Sequence, residues 1–189
     1  MFSGIIEELG QVKSISKQGS ISLLTVKADK ILTDIKIGDS VAVNGVCLTL
    51  VKEEPDALSF EVITETLEIT NLGSLRVSER VNLERSLKIG DRLSGHFVSG
   101  HIDCMGIIRE KGYLKDNLCF EILVPIKFMH YCIPKGSIAV DGISLTIVDK
   151  KSNTFSVYTI PYTLKNTTLG FKGPSQKVNI EFDIIARRV

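Results

Sequence analysis

Short segments rich in Val, Ile, Leu and Thr recur along the chain, each broken by Gly, Asn, Asp or Lys. Apolar and polar positions alternating with a period of two mark half-buried strands, and the breaking residues are turn formers. In the first half this pattern predicts strands near residues 4–15, 20–27, 40–52, 58–65, 80–85 and 92–98. Helical periodicity is slight, predicting only one- or two-turn helices near 30–35 and 67–72, with counterparts near 126–132 and 164–169. The chain therefore reads as all-β. About six strands in roughly 95 residues favour a closed barrel, because closure leaves no long exposed edge, although a sandwich suits the periodicity almost as well.

The same pattern occurs twice. Residues 40–51 read S-V-A-V-N-G-V-C-L-T-L-V and residues 137–148 read S-I-A-V-D-G-I-S-L-T-I-V, with seven identities at an offset of 97. Ser3-Gly4 matches Ser99-Gly100, Phe60 matches Phe155, Thr64 matches Thr159, Leu72-Gly73 matches Leu169-Gly170, and V-N-L-E at 81 matches V-N-I-E at 178. A repeat this long predicts one supersecondary unit used twice. The expected units are 1–96 and 97–189, the second ending in a short tail, 184–189.

Composition narrows the function classes. A net charge of +1, no Trp and 6% aromatic residues leave neither an electrostatic funnel nor stacking platforms, so no nucleic-acid partner is expected. No basic segment precedes an apolar stretch at the start, and no apolar run approaches the roughly 18 residues of a spanning helix. A cytoplasmic protein without a membrane partner is expected. Cysteines at 47, 104, 119 and 132 match no zinc ribbon or C-x-x-C pair, which predicts reduced buried thiols and no metal.

Chemistry concentrates where the repeats meet. S-G-H-F-V-S-G-H places His96 and His101 in a Gly- and Ser-rich stretch, which suits proton exchange beside a closely approaching ligand. It equally suits a tight connection whose histidines cap strand ends. Comparing the copies, Cys47 faces Ser144, Thr49 faces Thr146 and Ser40 faces Ser137, while Lys135 and Asp183 align with Gly38 and Ser86. Residues two apart share a strand face, so Cys47 with Thr49, and Ser144 with Thr146, point at one ligand or fill a barrel interior.

The opening M-F-S-G-I-I, N-G-V-C-L-T, E-T-L-E-I-T-N-L-G from Glu65, V-N-L-E-R, S-G-H-F-V-S-G-H, D-G-I-S-L-T and the closing V-N-I-E-F-D resemble the alpha-type riboflavin synthase family over residues 1 to 183. The resemblance implies tandem six-stranded Greek-key barrels and a cofactor-free transferase. Two molecules of 6,7-dimethyl-8-ribityllumazine would dismutate by transfer of a four-carbon unit, giving riboflavin and 5-amino-6-(ribitylamino)uracil. It further implies a homotrimer, with the active site between the first barrel of one subunit and the second of its neighbour, and raises association with lumazine synthase.

Carried over residue by residue, the first pocket would use Gly4, Ile5 and Ile6, then Cys47, Leu48 and Thr49, then Glu61, Val62, Ile63, Thr64, Glu65 and Thr66, with Ser40 and His96 near the reacting carbons. The second would use Gly100, His101 and Ile102, then Lys135, then Ser144, Leu145 and Thr146, then Ile160, Pro161, Tyr162, Thr163, Leu164 and Lys165, with Asp183 close by. Backbone groups at strand edges suit the uracil-like edge of the substrate, and hydroxyls suit its ribityl chain. Catalysis needs a base for the acidic C7 methyl of one lumazine and a nucleophile or activated water at the other. His96, Cys47, Ser40, Ser144, Lys135 and Asp183 are the candidates, and which of His96, Cys47 and Ser40 has which task is left open. The chain departs from the family pattern at Tyr162, where relatives often carry an acid, and in its tail, about 9 Å if helical. The tail predicts a trimer held mainly by barrel contacts. A binding protein of the same superfamily that holds a lumazine or flavin as an optical antenna is the nearest rival, and its members lack the paired histidines.

Overall fold

The computed structural model describes residues 1–114 and 117–188 and contains two closed six-stranded antiparallel barrels. The first comprises β1 (Glu8–Gln18), β2 (Ile21–Lys27), β3 (Ser40–Val43), β4 (Val46–Glu54), β5 (Ala57–Ile63) and β6 (Arg80–Arg85), ordered β1-β2-β5-β4-β3-β6. The second comprises β7 (Cys104–Leu114), β8 (Asn117–Leu123), β9 (Ser137–Val140), β10 (Ile143–Lys150), β11 (Thr154–Thr159) and β12 (Lys177–Phe182), in the identical order. In each, three hairpin-linked strands are followed in space by a strand joined through a long connection, which is the Greek-key arrangement. Among the described residues, helix is confined to α1 (Thr64–Ile69), α2 (Pro161–Asn166) and short 3-10 turns.

Two strand assignments change. Residues 40–52 form a hairpin rather than one strand, because Asn44 (φ 47°) and Gly45 (φ 78°) both take the left-handed conformation of a tight turn. Residues 92–98 pair only through the bridge between Phe2 and Val98. The first barrel still has six strands, the number the periodicity predicts.

Each barrel is filled by its own inward side chains, among them Leu50, Phe60 and Leu83 in the first and Phe120, Ile138 and Phe155 in the second. Between the barrels lie Phe2, Ala42, Val98 and Ala139, with Cys47 against them. The turns Asn44-Gly45 and Asp141-Gly142 meet so closely that a Cβ on Gly45 would sit 2.5 Å from the Gly142 nitrogen. Around them is a buried polar network that repeats itself: Asn82 Nδ2 donates to the Asp141 carbonyl (2.9 Å) and Asn179 Nδ2 to the Asn44 carbonyl (2.9 Å). Likewise the Thr168 N–H donates to Asn82 Oδ1 (2.8 Å) and the Asn71 N–H to Asn179 Oδ1 (2.7 Å). The equivalence fails where Asp141 and Lys172 form an ion pair (2.6 Å) while the first copy has Asn44 and Leu75, and where Thr168 stands against Asn71.

After Asp183 the chain makes a 3-10 turn over Ala186–Arg188, and Arg187 pairs with Asp103 (2.7 Å). The last tail residue, Val189, lies outside the described residues.

Candidate active site

The segments that lead into β1 and β7 are exchanged between the barrels. The Gly4 carbonyl accepts from the Ser144 N–H (2.8 Å) on β10 of the second barrel, and the Gly100 carbonyl accepts from the Cys47 N–H (2.9 Å) on β4 of the first. Side chains follow: Ile6 packs on the second core and Ile102 on the first. Close approach demands glycine, since a Cβ would lie 2.6 Å from Ser144 Cβ at Gly4 and 2.4 Å from Cys47 Cβ at Gly100, and both have positive φ. The expected apportionment is therefore corrected. Gly4, Ile5 and Ile6 flank the strand of Ser144, and Gly100, His101 and Ile102 flank that of Cys47.

His96 moves with them. Its backbone N–H donates to the Ser3 carbonyl (3.1 Å), and its Nδ1 lies 2.7 Å from Ser144 Oγ, so it joins the second face instead of the first. Burial holds the imidazole below its ordinary pKa, opposed by the carboxylates of Asp183 and Glu181. At neutral pH the ring is uncharged. Its other nitrogen, Nε2, is buried and has no hydrogen-bond partner among the described residues.

On β4, Leu48 points into the core while half-buried Cys47 and exposed Thr49 share the outer face, with Ser40 opposite Thr49 in the β3–β4 register. On β10, half-buried Ser144 and exposed Thr146 share the equivalent face. Cys47 and Thr49 thus do not fill the barrel interior. Exposed Glu61 and Ile63 flank buried Val62 on β5, and Thr64, Glu65 and Thr66 open α1. Ile160, Pro161 and Tyr162, all exposed, occupy the equivalent rim, followed by Thr163, Leu164 and Lys165 in α2. Exposed Lys135 adopts φ 68° in the turn before β9, where the first copy has Gly38 at 95°. Its N–H donates to Ile147 (2.7 Å), beside Thr146. A lysine at such a position carries a conformational cost that glycine does not.

Both faces are open. One cavity of about 520 Å³ lies on the outside of the second barrel near Tyr113 and Tyr158, and one of about 500 Å³ lies over the polar network. Another, about 470 Å³, includes Ile5 and Ser40. Among the described residues, no three His, Cys, Asp or Glu side chains group to hold a metal.

A family model described as the lumazine binding domain matches twice, over residues 3–86 and 99–183. A riboflavin synthase of Chlamydia pneumoniae is 46% identical over 97% of this chain and 90% of its own. One from Actinobacillus pleuropneumoniae is 44% identical over 100% of this chain and 88% of its own. The chain belongs to the riboflavin synthase family. The crystal structure of LumP complexed with riboflavin is similar too, at 26% identity and a TM-score of 0.88, covering 96% of this chain and 99% of that one.

Within that family frame, two buried carboxylates escaped the sequence reading. Glu84 accepts from the Ser3 N–H (2.8 Å), Ser3 Oγ (2.7 Å) and the Gly4 N–H (3.1 Å). Glu181 accepts from the Ser99 N–H (2.6 Å), Ser99 Oγ (2.6 Å) and the Gly100 N–H (2.9 Å). The retained S-G and V-N-x-E of both copies were the available signal. All four thiols are unpaired, but only Cys132 is fully buried, which corrects the expectation for the rest. Burial pushes Cys104 up to about 12 and Cys132 up to about 11, so neither is a nucleophile at neutral pH.

Proposed function

We propose that the chain is a riboflavin synthase in which two molecules of 6,7-dimethyl-8-ribityllumazine react to give riboflavin and 5-amino-6-(ribitylamino)uracil. The observation that carries this reading is a duplicated lumazine-binding module whose two faces are alike in geometry and unlike in chemistry: Cys47 against Ser144, Gly38 against Lys135, Ser86 against Asp183. Like geometry suits two identical substrates, and unlike chemistry suits a reaction in which one gives carbon and the other receives it. Positioning both converts a bimolecular encounter into an oriented one. The binding units are 1–96 and 97–189, each completed by the other's lead segment.

On the second face, half-buried Ser144 meets the substrate and passes its proton to neutral His96 at Nδ1, 2.7 Å away. Lys135 and Asp183 supply charge at the same face. Cys47, Thr49 and Ser40 line the first face, where the thiol or a hydroxyl serves as nucleophile or holds the attacking water. Ile5, Ile63, Ile160 and Tyr162, each at least 45% exposed, offer apolar surface to the ring system.

Purified protein given the lumazine without any cofactor should accumulate riboflavin. If lumazine binds and is recovered unchanged, the antenna reading replaces this one.

Lys135→Gly should separate function from stability. Removing a side chain from the left-handed region stabilises by about 1 kcal/mol, yet turnover should fall because the second face loses its cation. Thermal melts and initial rates on the same samples check this, and a variant as active as wild type would exclude the lysine.

Two open faces on one chain also support a shared site between subunits, in a homotrimer working in the cytoplasm, where unpaired thiols persist. Specific activity should then rise over the concentrations at which sedimentation shows assembly. Concentration-independent activity from a sedimenting monomer would contradict this.

A further inference from the structure

We propose that Glu84, a residue of the first barrel, is the positioning residue for the His96–Ser144 pair on the second barrel's face. The inference rests on that face being a reaction site. Glu84 is 3% exposed and spends both carboxylate oxygens on one dipeptide, Ser3-Gly4. The two carbonyls of that dipeptide are in turn spent on two residues: the Ser3 carbonyl accepts from the His96 N–H (3.1 Å) and the Gly4 carbonyl from the Ser144 N–H (2.8 Å). These are the residues whose side chains meet at 2.7 Å. One carboxylate therefore sets the relative position of both backbones, and through them the distance from Ser144 Oγ to the imidazole. Burial pushes Glu84 up in pKa, and the Ser3 and Gly4 donors oppose that push, as a clamp built around the ionised form requires.

The repeat supplies its own control. Glu181 makes the equivalent three bonds to Ser99-Gly100, and its clamp reaches Cys47 on the first face. Two clamps of equal build thus serve different faces, which a purely structural role would not distinguish. Groups charged near His96 are Asp183 and Glu181, both of which favour its protonation.

Glu84→Gln and Glu181→Gln in the full chain test the inference. In Glu84→Gln an amide NH₂ must face an N–H of Ser3 or Gly4, so the dipeptide shifts. Turnover (kcat) should fall by about 10- to 100-fold, while KM for the lumazine stays within about threefold, because misplacement by an ångström is enough for such a loss. The decisive readout is the NMR titration of His96 in ligand-free protein. Glu84→Gln should raise its pKa towards the ordinary value by admitting water, and Glu181→Gln should lower it by removing a favouring carboxylate. Should Glu84→Gln fail to fold, Ser3→Ala, which deletes the hydroxyl arm to Glu84 together with the acceptor of the Ile5 N–H (3.3 Å), should reproduce both effects in milder form. Shifts of the same sign in the two glutamine variants, or an unchanged kcat in Glu84→Gln and Ser3→Ala, overturn the inference. The titration needs no substrate, so it decides the positioning role even if wild-type protein makes no riboflavin and the functional reading falls.

Discussion

His96→Gln lowers turnover by about 100- to 10,000-fold and leaves both barrels folded, the range expected when a positioned acid or base is removed. Glutamine keeps polar atoms near Ser144 Oγ but cannot exchange the proton. The pH dependence carries a matching signature. Burial depresses the His96 pKa, so the neutral ring is favoured in the fold. Its contribution to stability is complete above the unfolded value of about 6.5 and is lost as pH falls through the lower, folded value. Turnover should fall over the same acidic interval, and the variant should lose that limb of the profile. Rates within threefold of wild type across pH 5–8, on protein with an unchanged circular dichroism spectrum, would remove His96 from the chemistry.

Lys172→Met is the substitution expected to cost most stability. Asp141 is fully buried, and Lys172 Nζ is its cationic partner at 2.6 Å. Breaking a buried pair from one side leaves an uncompensated charge, typically 3–5 kcal/mol. The Asn71 side chain and the Asn179 N–H still donate to Asp141 at 2.7 Å each, which places the expected loss near the lower limit, about 3 kcal/mol. In a domain pair of this size that lowers Tm by about 6–12 °C. The first repeat shows how to repair it, since it carries Asn44 and Leu75 at the equivalent positions. Asp141→Asn combined with Lys172→Leu should recover most of the loss, because replacing both partners removes the buried charge with its counterion. A double variant as unstable as Lys172→Met would mean that the ion pair is not what the buried network depends on.

Much of the architecture was legible because strand periodicity and turn residues are local properties. The N-G at 44–45 and D-G at 141–142 were hairpin signals within continuous apolar runs, and the runs concealed them. Apolar Ile6 and Val98 imitate strand positions because they pack across the barrel interface, not because they enter a ladder. The crossed leads were not legible. A repeat states which residues are equivalent, yet a lead packing on its own barrel and one packing on the other leave the same local pattern. Only Gly4 and Gly100 hint at it, since both need positive φ and tolerate no Cβ against the opposite strand. That crossing also explains why His96 lies against Ser144 rather than Cys47, whereas the faces that Cys47 shares with Thr49 and Ser144 with Thr146 follow from strand period alone.

That two identical substrates react on one protein shows in the mass balance of the reaction. Purified protein is incubated with 6,7-dimethyl-8-ribityllumazine alone, and substrate and both products are quantified over time. Two lumazines should disappear for every riboflavin formed, with 5-amino-6-(ribitylamino)uracil appearing in equal amount. Riboflavin formed one for one with lumazine consumed, or a lumazine pool that stays constant while bound, would contradict it.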